Sequence, residues 1–125
     1  MSLRNPLARA KGLGSAKDGV GHWWAQRLTA MALALLTPWF VIFALRQFGA
    51  EGEAVRAAIA QPLNATLLSA FVLSLFWHAR LGLQVVVEDY IHGWLELALQ
   101  VAIKFIFALA AIAALLAIGR IAFTA

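Results

Sequence analysis

Three long, mostly apolar stretches decide what this chain can fold into. The hydrocarbon core of a bilayer is about 30 Å thick, and an α-helix needs about 20 apolar residues to cross it. The sequence supplies such stretches at about 22–48, 64–87 and 94–123. Of its 125 residues, 63% are hydrophobic and 13% are charged, which is too little polar surface for a soluble domain. We therefore predict an all-α integral membrane protein, with three transmembrane helices forming one membrane domain over residues 22–125.

The segment before the first apolar stretch is polar, glycine-rich and basic. The chain has a formal net charge of +4, and several of its basic residues lie in this segment: Arg4, Arg9, Lys11 and Lys17. Basic residues beside a span mark its cytoplasmic side, so we interpret the charge as a topology signal and not as a nucleic-acid surface. Residues 1–21 are predicted to be an uncleaved cytoplasmic arm, although their glycine content is equally typical of a disordered tail. Three spans then place the C-terminus in the periplasm of a bacterial inner membrane.

The segments between the spans carry no predicted chemistry. Residues 49–63 have mixed charges, and we expect a short interfacial helix over residues 51–60 and a polar turn over residues 88–93. The chain also has no cysteine, which excludes disulfides, thiolate metal sites and iron–sulfur clusters of its own.

The second apolar stretch contains ionisable residues at its middle and at its end. His78 and Arg80 interrupt it, and Asp89 and Tyr90 close it. Ionisable side chains inside a hydrophobic segment are costly, so they indicate a functional site by default. With a turn of about 100° per residue, Asp89 returns to within about 20° of the face of His78, and Tyr90 lies roughly 18 Å along the axis. Arg80 lies about 200° from His78 and is off that stripe.

Each of these residues has a functional and a structural interpretation. A membrane histidine four residues before Gly82 suits a haem, because imidazole is an axial ligand and glycine leaves room for the macrocycle. An interhelical hydrogen bond is the more common role of such a histidine. Asp89 and Tyr90 suit a quinone head group, since a carboxylate relays protons and a phenol donates to a carbonyl. A tyrosine at this depth is more often an interfacial anchor.

Two further cations are ambiguous. Arg80 suits a haem propionate or, slightly better, a polar group of a partner subunit. Lys104 in the third stretch is explained by snorkelling of its ammonium group towards the interface.

The chain resembles the small cytochrome b membrane-anchor subunit of succinate dehydrogenase, respiratory complex II. The resemblance covers its length, its three spans and a set of residues: His22, Arg27, His78, Gly82, Asp89, Tyr90, His92 and Gly93. It implies a haem b shared with a second cytochrome b anchor subunit, with His78 as the axial ligand from this chain. It also implies a ubiquinone site near the iron–sulfur subunit.

Further roles follow from the same resemblance. Tyr90 would donate to a quinone carbonyl, and Asp89 would tune Tyr90 or handle protons. His22 and Arg27 would lie near the haem propionates and the quinone pocket. FAD and the iron–sulfur clusters would belong to flavoprotein and iron–sulfur partner subunits, so this chain would not be catalytic alone. The alternatives are the anchor of a quinol:fumarate reductase and a purely structural subunit of another membrane complex.

Overall fold

Four α-helices make up the described part of the chain, in which there is no β-strand. A computed structural model describes the backbone of residues 6–124, and the side chains from Val20 onward. The helices are α1 (Pro6–Gln47), α2 (Gly52–Ala60), α3 (Pro62–Tyr90) and α4 (Trp94–Thr124). Three segments have the length and hydropathy needed for a membrane crossing: Val20–Gln47, Pro62–Tyr90 and Trp94–Thr124. The predicted all-α fold with three long apolar helices is confirmed.

The first helix begins well before the apolar stretch. We predicted a separate polar arm over residues 1–21, of which 1–5 lie outside the described residues and 6–21 continue α1. Pro6 suits a helix start because its fixed φ is helical and its missing N–H has no partner there. Glycines each weaken a helix by about 1 kcal/mol but do not break it. Secondary structure therefore places no boundary at residue 22.

Two glycines beside helix ends adopt left-handed backbone conformations. Gly49 has φ of +81° after α1, and Gly93 has φ of +82° between α3 and α4. Side-chain-bearing residues are strained there. After Gly49 the chain forms α2, a short helix close to the predicted one at 51–60, and Pro62 then begins α3.

The third helix extends beyond its predicted end. We expected it to stop at residue 87, but it continues to Tyr90, and the predicted turn over 88–93 is reduced to 91–93. The side-chain amide of Gln84 donates to Glu88 Oε1 at 3.0 Å, which supports the last turn. The N–H of Ile91 donates to the carbonyl of Val87 at 2.9 Å and closes the helix. Asp89 and Tyr90 are thus part of the helix that carries His78.

The three long helices form a row with α3 in the middle. α3 packs against α1 on one side and α4 on the other. Phe40 stacks on Phe71 with ring centroids 4.5 Å apart, and Phe76 meets Phe107 edge to face at 6.1 Å. The buried apolar residues are mostly on α3: Leu68, Phe71, Leu81 and Val87, with Ile103 on α4. α3 is therefore the element whose side chains contact both neighbours.

Candidate functional site

His78 contacts α1 through a threonine. Nδ1 of His78 lies 3.0 Å from the hydroxyl oxygen of Thr29, which is buried with 7% exposure. The same hydroxyl lies 2.7 Å from the carbonyl of Ala25 and 3.1 Å from that of Gln26. Carbonyls only accept, so the single proton of the Thr29 hydroxyl is directed to its own helix, and the tautomer of His78 with its proton on Nδ1 suits the remaining contact. In that tautomer, Nε2 of His78 has a lone pair.

This arrangement fits a single axial metal ligand. Histidines that bind metals usually donate their other ring N–H to a nearby oxygen, which fixes the tautomer and the ring orientation. Among the described residues, the hydrogen bonds of His78 use only Nδ1. The interhelical hydrogen bond considered from the sequence is present, and it is compatible with a ligand on Nε2. No three His, Asp or Glu side chains in the described part of the chain form a metal site.

A polar stripe on α1 faces the side of α3 that carries His78. His22, Gln26 and Thr29 follow a four- and three-residue spacing, which puts them on one helix face. Nε2 of His22 and Oε1 of Gln26 are buried without a hydrogen-bond partner among the described residues. Buried polar atoms normally have partners, so these two atoms mark positions for a ligand group or a water molecule.

Gly82 lies against this stripe. A Cβ atom built on Gly82 would meet Nε2 of Gln26 at 4.0 Å, an ordinary contact, and nothing else within that distance. The room that the sequence led us to expect for a macrocycle is bordered by Gln26 and by no other atom within 4.0 Å of that Cβ position. Gln26 and Thr29 were missed from the sequence, although their spacing from His22 on an apolar helix is a detectable signal.

Arg27 is on a different face of α1 from His22. It is exposed, and its guanidinium lies 5.4 Å from the ring centroid of Trp23. Such a cation–π contact holds an arginine beside an interfacial tryptophan. The structure does not bring His22 and Arg27 together, since a separation of five residues is about 140° around a helix.

Asp89 and Tyr90 are exposed at the end of α3. Tyr90 is 81% exposed, and neither side chain makes a hydrogen bond or an ion pair within the described residues. His78 lies about 16–18 Å away along the helix axis. Of the predicted site residues, His22 and His78 thus lie between α1 and α3, Asp89 and Tyr90 lie at the helix end, and Arg27 lies apart from both pairs.

Arg80 and Lys104 line a groove on the opposite side of α3. This groove between α3 and α4 has a volume of about 240 Å³, and it is otherwise bordered by apolar side chains: Leu73, Phe76, Trp77, Phe107, Ala108 and Ala111. The groove does not include His78 or the α1 stripe.

The fold and these places define a multi-pass helical membrane subunit whose polar groups remain open to other molecules. The chain matches the family described as succinate dehydrogenase/fumarate reductase transmembrane subunit over residues 1–119. It belongs to that family.

Several relatives are named succinate dehydrogenase hydrophobic membrane anchor subunit. The relative from Rickettsia bellii is 38% identical over 89 residues, which are 71% of each chain. The relative from Paracoccus denitrificans is 36% identical over 93 residues, covering 74% of this chain and 72% of its own. The relative from Rickettsia conorii is 37% identical over 86 residues, 68% of each chain.

Proposed function

We propose that this chain is the hydrophobic membrane anchor of a succinate:ubiquinone oxidoreductase in a bacterial inner membrane. Family membership, the printed names of its relatives and three long apolar helices support this role. The basic N-terminal segment supports a cytoplasmic N-terminus, and three crossings then place the C-terminus in the periplasm.

His78 is proposed as one axial ligand of haem b. The observation that carries this assignment is the 3.0 Å contact between Nδ1 of His78 and Thr29, which leaves the lone pair of Nε2 for a metal. A second cytochrome b subunit supplies the other ligand. The haem, when bound, supplies a one-electron carrier within the membrane.

Tyr90 and Asp89 are proposed as part of the site at which ubiquinone is reduced. Their exposure at the end of α3 supports this role, because a quinone head group must reach them from outside the chain. The phenol of Tyr90 donates to a quinone carbonyl, and the carboxylate of Asp89 passes protons to the reduced ring. Neighbouring subunits complete the pocket.

His22 and Arg27 are proposed as polar contacts near the haem propionates and the quinone pocket. The buried, unpartnered Nε2 of His22 supports a hydrogen bond to a bound group. The exposed guanidinium of Arg27 supports pairing with a carboxylate, such as a haem propionate.

The remaining chemistry belongs to partner subunits. A flavoprotein with FAD oxidises succinate, and an iron–sulfur protein carries the electrons to the quinone. This chain has no cysteine with which to bind such clusters. Its role is to dock these partners at the membrane and to supply part of the acceptor site.

The proposal is tested by purifying the tagged chain in mild detergent. We expect flavoprotein, iron–sulfur and cytochrome b subunits to copurify, with a b-type haem in the reduced-minus-oxidised spectrum and succinate–ubiquinone turnover. Recovery of an intact complex without haem and without quinone turnover would instead support a purely structural subunit. The family also includes fumarate reductases, and a complex that turns over faster with quinol and fumarate would reverse the assigned direction.

A further inference from the structure

Thr29 is a buried polar residue on the face of α1 that also carries His22 and Gln26. It is 7% exposed, and its hydroxyl lies within 3.1 Å of two carbonyls of α1 and 3.0 Å from Nδ1 of His78. A threonine inside a helix needs no external partner, because back-bonding to the preceding turn satisfies its proton. The contact with His78 is therefore a second hydrogen bond of the Thr29 hydroxyl, beyond the one that its own helix satisfies.

The contact has a direction. The hydroxyl proton is directed to the carbonyl of Ala25, at 2.7 Å the nearer of the two α1 carbonyls. The free lone pairs of the hydroxyl then face His78, whose Nδ1–H donates to them. The hydrogen bonds run from His78 to Thr29 to the α1 backbone, and such chains polarise their members in a low-dielectric medium.

We propose that Thr29 is a positioning residue for the metal ligand His78. It fixes the tautomer that keeps the lone pair on Nε2, orients the ring and increases electron donation from Nε2 to a bound iron. This inference rests on the proposed role of His78 as a haem ligand. Removal of partners of this kind in other proteins costs about 10–100-fold in metal affinity.

Two substitutions separate this role from simple packing. Thr29→Val keeps the shape of the side chain and removes the acceptor, whereas Thr29→Ser keeps the acceptor and removes a methyl group. A positioning role predicts that the haem content and midpoint potential change in the valine variant and stay normal in the serine variant. A packing role predicts that they change in the serine variant and stay normal in the valine variant.

A second threonine provides a matched control. Thr66 on α3 is exposed and back-bonds to the carbonyl of Pro62 at 2.7 Å, as Thr29 does on α1, but its described hydrogen bonds include no histidine. Thr66→Val makes the same chemical change at a site away from His78, and we expect it to leave the haem unchanged.

The experiment compares these variants, together with His78→Ala, in the purified complex. The readouts are haem content, the low-spin ferric electron paramagnetic resonance signal and the midpoint potential from redox titration. We expect Thr29→Val to raise the potential and to lower the apparent haem affinity about 10–100-fold, with Thr29→Ser and Thr66→Val unchanged. A normal haem in Thr29→Val together with a loss in His78→Ala would overturn the positioning role alone. A normal haem in His78→Ala would overturn the ligand assignment on which it rests.

Discussion

The side-chain amide of Gln100 on α4 donates to the backbone carbonyl of Gln84 on α3 at 3.2 Å. Because the two helices are antiparallel, residues four positions further from the connecting turn also lie opposite each other. These residues are Arg80 and Lys104, the two cations of the α3–α4 groove. Both therefore lie at one depth, about 15 Å along their helices from the turn.

Replacing Gln100 should weaken the pairing of α3 with α4. Gln100→Leu leaves the carbonyl of Gln84 with only its helical bond, and interhelical hydrogen bonds in membranes contribute about 0.6 kcal/mol, with a maximum near 1.7. We expect a correspondingly lower thermal stability of the purified complex. Gln61→Leu is the comparison, because it removes a local, exposed 3.3 Å hydrogen bond from Asn64 and no contact between α3 and α4. Equal stability of the Gln100 variant and the unchanged complex would contradict the role of this contact.

His78→Ala should remove or strongly alter the haem. The substitution deletes the imidazole whose Nε2 is proposed to bind the iron and whose Nδ1 lies 3.0 Å from the hydroxyl of Thr29. The measurement is the reduced-minus-oxidised optical spectrum of the purified complex. His92→Ala is the control, because His92 is exposed at the α3–α4 turn. An unaltered spectrum in His78→Ala would exclude the ligand role.

Tyr90→Phe should impair quinone reduction while leaving the haem intact. The change removes one hydroxyl from an exposed ring, and a hydrogen bond of about 0.5–1.5 kcal/mol corresponds to a roughly 2–10-fold loss of turnover. Succinate–ubiquinone turnover is measured beside the reduction of an artificial acceptor by the flavoprotein. The second rate should not change, and normal turnover with ubiquinone would remove the hydrogen-bonding role.

Asp89→Asn should slow quinone reduction more than the neighbouring substitution Glu88→Gln does. A carboxylate that moves protons contributes about 10²–10⁴-fold, and an amide cannot replace it. Glu88→Gln is a matched control, since Glu88 already accepts a hydrogen bond from Gln84 on its own helix. Turnover with ubiquinone is the measurement, and equal rates in the two variants would remove Asp89 from the proton path.

Gly82→Ala should be tolerated. The new methyl group meets only the amide nitrogen of Gln26 at 4.0 Å, and alanine favours a helix by up to about 1 kcal/mol over glycine. Haem content and complex stability should therefore equal or exceed those of the unchanged protein. Gly82→Leu, which must displace Gln26, should lower both. Loss of haem in the alanine variant would contradict this expectation and would support the prediction that Gly82 leaves room for the macrocycle.

The sequence predicts the spans well because span length and hydropathy depend on the bilayer alone. It predicts the contacts of His78 poorly, because these depend on which face of α1 meets α3. The hydroxyl of Thr29 is satisfied by its own helix, so the sequence does not show that a histidine of α3 lies beside it. The end of α3 was misplaced because charged residues usually indicate a turn, whereas Glu88 here supports one more helical turn.

The row of α1, α3 and α4 does not enclose a hydrophobic core. Most of the large apolar side chains outside α3 remain exposed, and even α3 buries few residues. In lipid, such a row is held by pairwise contacts alone, and partner helices add the contacts that would otherwise come from a closed bundle. The survival of newly made copies in the cell should therefore follow the supply of partner subunits, since binding removes the free chain from turnover by quality-control proteases.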